Sequence, residues 1–263
     1  MLFHTFLHIE GIGEKTELQL YKSGIYCWDD FLKAEKIDFI NDRSLIMMKE
    51  GILESYRKYI NKDINYFLHR MNKRHAWRLY KEFKKYCCFL DIETDGQYGM
   101  NSDITVIGVY SENGYKPYIN GKNLKTFEDE ILKYDLIITF NGSLFDFPVI
   151  SRYFRTRYFH NIAHIDMRTI CGSMDKSFRG GLKSIERKIG LYRPPEIRNL
   201  DGYDAVKLWH RYQNGERGCL DILIEYNKYD VLNLSKLSDF IYQYGVNLMK
   251  EKGLKTDEEG KDE

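Results

Sequence analysis

The sequence predicts an α/β fold, a mixed five-stranded sheet flanked by helices, with a small helical domain ahead of it. Three observations predict it. From Tyr86 onward, short runs rich in β-branched and aromatic residues alternate with longer helical patterns. Before that point the apolar spacing is helical throughout. The chain has 263 residues, 43% hydrophobic and 30% charged, which suffices for one medium domain and a smaller one, each with its own core. The expected organisation is a helical N-terminal region over residues 1–75, an α/β domain over 80–249, and a charged tail over 250–263 expected to be disordered.

Composition excludes some classes and leaves others open. A formal charge of +1 says nothing for or against nucleic acid, because local clustering matters more. The five cysteines form no C-x-x-C pair, which points to reduced thiols. No apolar run reaches the roughly 18 residues of a membrane span, and Met1-Leu2-Phe3-His4 opens no signal peptide. A cytoplasmic protein without a membrane partner is expected.

In the N-terminal region, Gly11-Ile12-Gly13 makes a tight turn into a helix carrying Leu18, Leu20 and Tyr21. Backbone N–H groups at such a turn can hold a phosphate. Gly11, Gly13 and the neighbouring Lys15 are therefore candidate nucleic-acid contacts. The stretch resembles a helix-hairpin-helix, a module that grips nucleic-acid backbone; a plain helical hairpin is the alternative.

Residues 57–85 hold ten Lys or Arg against Asp63 and Glu82, interleaved with Tyr59, Tyr66, Phe67, Trp77, Tyr80 and Phe83. Such a cluster would neutralise phosphates in a sequence-blind, salt-dependent way. Arg74, Trp77 and Arg78 are its candidate contacts, a solvated basic helix the alternative. Part of the aromatic set, at helical spacing, is expected in the core.

The α/β part begins with the strand Cys88–Thr94. Ile104–Tyr110 reads as a second strand, and Glu112-Asn113-Gly114 turns into a third, Tyr115–Ile119, whose Pro117 suits a sheet edge. A helix over about 124–134 leads to the buried strand Leu136–Phe140, followed by Asn141-Gly142-Ser143-Leu144-Phe145-Asp146 and another helix. Ile165-Asp166 ends a short strand. Gly180-Gly181 feeds a helix through Lys183 and Glu186, which Arg193-Pro194-Pro195 is expected to end, and Asp221 to about Gly245 is a long amphipathic helix. Three strands, helix, strand and helix is the order of a ribonuclease H-like fold. Residues 152–198 form a second basic region, with eleven Lys or Arg against four acids. His160 and His164 lie within it, but nothing nearby completes a zinc pattern.

The candidate chemistry starts at Asp91-Ile92-Glu93. Strand alternation puts both carboxylates on one face, with Leu90 and Ile92 on the other. Two acids there are costly unless a cation lies between them, and a hard cation with oxygen ligands fits. A solvated strand end is the other reading of the pair alone. Downstream, Asp146 falls in the first turn of a helix, and Tyr226 and Asp230 share one helix face.

Asp91-x-Glu93, Asn141-x-x-x-Phe145-Asp146 and Tyr226-x-x-x-Asp230, in that order, resemble the DEDD exonucleases. The match is to the tyrosine branch (DEDDy), since Glu225 stands where the histidine branch needs His. The surrounding text, Leu182-Lys183-Ser184-Ile185-Glu186 and Tyr226-Asn227-x-x-Asp230-Val231 among it, is similar to the YprB-like family of predicted exonucleases. The resemblance covers about residues 86–245. It implies a ribonuclease H-like exonuclease domain using two Mg²⁺ or Mn²⁺ ions to hydrolyse phosphodiester bonds from 3′ ends. Single-stranded DNA or RNA ends are the expected partner, with DNA only slightly favoured because no residue is visibly assigned to testing the ribose 2′-OH.

By the resemblance, Asp91 would bridge the ions, Glu93 and Asp230 would hold the one that activates water, and Asp146 would support the second. Tyr226 would orient the water. Asn141, Phe145 and Lys183 are candidate nucleic-acid contacts. An exoribonuclease or endonuclease of the same fold stays open, as does an inert binding module. The chain leaves no room for a polymerase domain, so proofreading in cis is not expected, and no protein partner is indicated.

Overall fold

A computed structural model describes residues 1–97, 102–156 and 161–256. The chain forms two compact units, Met1–Lys84 together with the chain from Phe240 onward, and Lys85–Asp239.

The first unit is helical: α1 (Glu14–Lys22), α2 (Trp28–Lys33), α3 (Asp42–Ile60), α4 (Ile64–Arg70) and the single turn α5 (Tyr80–Phe83). Its core is aromatic. Trp28 stacks at 6.3 Å on Phe67, which meets Phe83 at the same distance, and Phe6, Phe31 and Tyr21 are buried around them. Gly11 and Gly13 form the turn into α1, with Gly13 as its N-cap, and Lys15 is exposed in the first turn. What precedes the turn is a 3₁₀ turn (Leu2–His4) and irregular chain. The first helix of a helix-hairpin-helix is therefore missing.

Two candidate nucleic-acid contacts in this unit need correcting. Arg78 is 2% exposed and Trp77 5%. The Arg78 guanidinium lies 2.8 Å from the Glu17 carboxylate and donates to Thr5 Oγ1 at 2.8 Å. The same carboxylate accepts from Thr5 Oγ1 and from the Phe6 amide. Both side chains are core, because the aromatic positions of the basic segment face inward and carry the intervening arginine with them. Arg74 stays exposed and pairs with Glu14, while Arg57 and Lys58 pair with Glu54.

The second unit is a five-stranded sheet in the order β3-β2-β1-β4-β5, built from β1 (Cys87–Thr94), β2 (Ile104–Ser111), β3 (Gly114–Ile119), β4 (Leu136–Thr139) and β5 (Ala163–Asp166). β1 is central, antiparallel to β2 and parallel to β4; β3 pairs antiparallel with β2 and β5 parallel with β4. Pro117 lies on β3, at the sheet edge, where a missing ladder donor costs least. The helices are α6 (Phe127–Ile131), α7 (Asp146–Tyr153), α8 (Met167–Met174), α9 (Leu182–Ile189), α10 (Pro195–Arg198), α11 (Gly202–Gln213) and α12 (Gly218–Glu251).

Both sheet faces are covered. Leu90 and Ile92 pack with Ile107, Val109, Phe127, Ile131 and Ile150 on one side. Val106 and Ile119 pack with Trp209, Leu223 and Tyr226 on the other. Asp91 and Glu93 thus point into an inter-layer space, and the register of β1 against β2 breaks between Glu93 and Thr94, beside the acids.

Several boundaries move. α9 ends at Ile189 with Gly190 in a left-handed conformation, and Pro195 opens α10 instead of stopping α9. α12 does not end near Gly245. There the missing side chain lets the helix lie against Trp77, whose ring atoms a Cβ would meet at 2.7 Å. Arg78 Nη2 donates to Met249 Sδ beyond it, so this last part of α12 belongs with the N-terminal helices. Leu254 is buried; residues 257–263 and His160 lie outside the described residues. Among the described residues, no helix is long and apolar enough to cross a membrane.

Truncating Arg78 would leave Glu17 charged and uncompensated in the core. Arg78→Ala should cost about 3–5 kcal/mol of unfolding free energy. Urea denaturation measures it, and a loss under about 1 kcal/mol would show that the pair is not closed off from water.

Candidate active site

Three elements deliver the acids. β1 carries Asp91 and Glu93, α7 opens with Asp146, and α12 carries Tyr226 and Asp230 one turn apart. The carboxylates of Asp91, Glu93 and Asp230 offer oxygens all within 4.8 Å of one another. These three line a cleft of roughly 520 Å³ with Phe145, Lys183 and Tyr226. Asp146 is buried close by, and its charge raises the pKa of both Asp91 and Glu93.

The electrostatics are those of anions taken out of water. Burial first, and then the Asp230 carboxylate, push Asp91 and Glu93 well above the usual carboxylate range. Asp146 is pushed up to about 7, chiefly by burial, although amides including that of Ile92 oppose the rise. Its Oδ1 is buried without a hydrogen-bond partner. Asp230 rises by burial against the opposing pull of Arg193 and Lys183. An orphaned carboxylate oxygen beside three convergent carboxylates suits an all-oxygen site for a hard divalent cation.

Tyr226 is almost fully buried. Burial and the nearby Asp230 and Glu93 charges raise its pKa further, so the phenol is neutral at any physiological pH. Lys183 Nζ donates to its hydroxyl at 2.8 Å and also to the Leu200 carbonyl. Phe145 is 44% exposed at the cleft and Leu144 beside it 80%. Asn141 sits at the turn before α7, its backbone accepting from Leu144 and Phe145 and its side chain from Arg168, and is not part of the cleft wall. Gly11, Gly13, Lys15 and Arg74 belong to the N-terminal unit.

Sequence reasoning missed two groups. Arg193 is buried and donates to Asp230 Oδ1 at 2.6 Å and to both oxygens of Glu186 at 2.6 Å. One arginine among eleven basic residues gives no signal of its own. Asn227, fully buried, donates to Asp91 Oδ2 at 3.0 Å. Its signal was available: on α12 it follows Leu223 by one turn, a polar residue on the core stripe.

A family model described as the RNase H superfamily matches residues 88–242, more than half of the chain. The chain belongs to the RNase H superfamily. Among solved structures, this RNase H domain is similar to the family B DNA polymerase from the hyperthermophilic archaeon Pyrobaculum calidifontis, at 14% identity and a TM-score of 0.47. The similarity covers 59% of this chain and 24% of the polymerase, so the chain spans about a quarter of that protein's length. No curated protein matches the sequence.

Because the folded state holds the Asp146 proton more tightly than the unfolded chain, folding stability falls as pH rises from about 4, where unfolded carboxyls titrate, through about 7. In EDTA the melting temperature of the wild type should therefore drop across that window relative to Asp146→Asn, which cannot ionise. Saturating Mg²⁺, which favours the ionised form, should flatten the difference. A melting temperature that rises in EDTA relative to Asp146→Asn over the same window would contradict the raised pKa.

Proposed function

We propose that this RNase H domain is a metal-dependent nuclease of the DEDDy type, removing nucleotides from the 3′ ends of single-stranded nucleic acid, with DNA only slightly favoured over RNA. The observation that carries the reading is the convergence of Asp91, Glu93 and Asp230 within 4.8 Å on a cleft shared with Tyr226 and Lys183. The 3′ polarity rests on the resemblance of the three motifs to the DEDD exonucleases. The motif text is similar to that of the YprB-like family.

Bound at this site, two divalent cations would neutralise the attacked phosphate and supply a nucleophilic water at neutral pH. Asp91, Glu93 and Asp230 would hold them, with Asp146 and its unpartnered oxygen behind. Tyr226 works as a neutral donor. With the Lys183 ammonium against its oxygen, the phenolic proton is left to point away, where it can fix the attacking water or a phosphate oxygen. Lys183 also places a positive charge at the cleft, where charge develops on the phosphate. Phe145 offers an exposed ring on which a terminal base can stack, which favours a frayed or single strand over a paired end.

Incubating the protein with 5′-labelled single- and double-stranded DNA and RNA in Mg²⁺ or Mn²⁺ tests this. A ladder shortening from the 3′ end is expected, and it should vanish in Asp91→Ala and Asp230→Ala. Intact substrates that the wild type nonetheless retains would overturn the nuclease reading and leave a binding module. Tyr226→Phe should slow cleavage on the order of 10²-fold while Mn²⁺ affinity, followed by calorimetry, stays within a few-fold. An equal loss of metal affinity would remove the role given to Tyr226.

A further inference from the structure

Asn227 does not line the cleft, yet its carboxamide binds one of the acids that do. Its Nδ2 donates to Asp91 Oδ2 at 3.0 Å and approaches the Asp91 carbonyl at 3.4 Å. A carboxylate can only accept, so the amide has one workable orientation, with NH₂ toward Asp91 and Oδ1 turned away. On that far side the Tyr115 hydroxyl lies 3.0 Å from Oδ1 and 3.2 Å from the Ile224 carbonyl, its one proton shared between the two, and so braces the amide. The side chain is 0% exposed, so water does not compete for it.

The sheet makes room for this amide. Gly108 on β2 is the register partner of Asp91. A Cβ at Gly108 would lie 1.9 Å from Asn227 Oδ1, 2.9 Å from its Cγ and 3.1 Å from Tyr115 Cε2. Glycine in mid-strand weakens a sheet, and here it is the one residue that admits the carboxamide beneath α12. A buried asparagine serving only the fold would satisfy backbone groups alone. This one turns its amide chiefly to the Asp91 carboxylate, and also hydrogen-bonds Glu93, the next acid on the strand.

We propose that Asn227, braced by Tyr115 and accommodated by Gly108, is the positioning residue of Asp91. Repulsion from Glu93 and Asp230 drives the Asp91 carboxylate to rotate away from the cluster. The Asn227 hydrogen bond holds it turned inward, so that its free oxygen already faces the other two carboxylates before any cation arrives. The inference rests on the metal-centre reading above and adds to it the residue that preorganises Asp91.

Calorimetric titration of MnCl₂ into the full chain tests it, with circular dichroism confirming the fold of each variant. Asn227→Ala should weaken Mn²⁺ binding about 10–100-fold, the usual effect of removing a partner of a metal ligand. Tyr115→Phe should weaken it a few-fold, and the double variant should match Asn227→Ala, because Tyr115 acts through the amide. In cleavage assays the Mn²⁺ concentration for half-maximal rate should rise in step, while the rate at saturating Mn²⁺ recovers to within a few-fold.

Asp91→Asn separates the two ideas. If it abolishes Mn²⁺ binding while Asn227→Ala leaves the affinity unchanged, the positioning role is overturned and the metal centre stands. A wild type that binds no Mn²⁺ overturns both. Should Asn227→Ala fail to fold, Gly108→Ala, which displaces the amide without removing it, and Tyr115→Phe carry the test; unchanged Mn²⁺ affinity in both overturns the proposal.

Discussion

Four neighbouring carboxylates, Glu93, Asp146 and Asp230 buried and Asp91 half-buried, are the constraint on which the second unit is built. An isolated buried anion costs several kcal/mol, and four together repel as well. The raised pKa values of Asp91, Glu93, Asp146 and Asp230 express that cost directly. No single element could hold them. The central strand supplies two, the helix after β4 supplies one from its first turn, and the long helix α12 supplies the last. All sit on strand or helix instead of loop, which limits how far the repulsion can push them apart. Core packing of Cys88, Leu90 and Ile92 on one face of β1 keeps the strand from yielding.

Part of the repulsion is answered by fixed groups. Arg193 binds one oxygen of Asp230, Lys183 faces the cleft, and Asn227 turns its amide dipole to Asp91. None of these reaches Asp146 Oδ1, which stays unpartnered. The compensation is therefore uneven: firm at the Asp230 end, dipolar at Asp91, and absent at one oxygen of Asp146. An incompletely compensated carboxylate cluster is what an exchangeable divalent cation requires, since a fully compensated one would have no affinity to offer.

The acids were legible in the sequence because each obeys a local rule. The two-residue period of a strand puts Asp91 and Glu93 on one face, and the helical period puts Tyr226 and Asp230 on another. Asp146 announces itself as a first-turn acid after a buried strand. Trp77 and Arg78 misled because alternating basic and aromatic residues look alike on a surface and in a core. Only the tertiary partner, Glu17, distinguishes them. The end of α12 was misjudged at Gly245 for a related reason, since a glycine that would stop a helix on the surface here admits the Trp77 ring. Arg193 was invisible because its meaning lies in two carboxylates distant in sequence, Glu186 and Asp230.

The two cations at the site also show why its residue types are not interchangeable. Arg193 makes three short hydrogen bonds at once, two to Glu186 and one to Asp230, which the planar guanidinium fork allows and an ammonium could not match in that geometry. It is closed in by its partners and serves as a fixed countercharge. Lys183 is half-buried at the cleft, and burial holds its pKa below the usual lysine range while Asp230 and Glu93 pull it back up. A compact ammonium on a flexible stem can stay bonded to the Tyr226 hydroxyl and still turn toward an incoming phosphate. Exchanging the two residues would give a mobile charge where Asp230 has a rigid one.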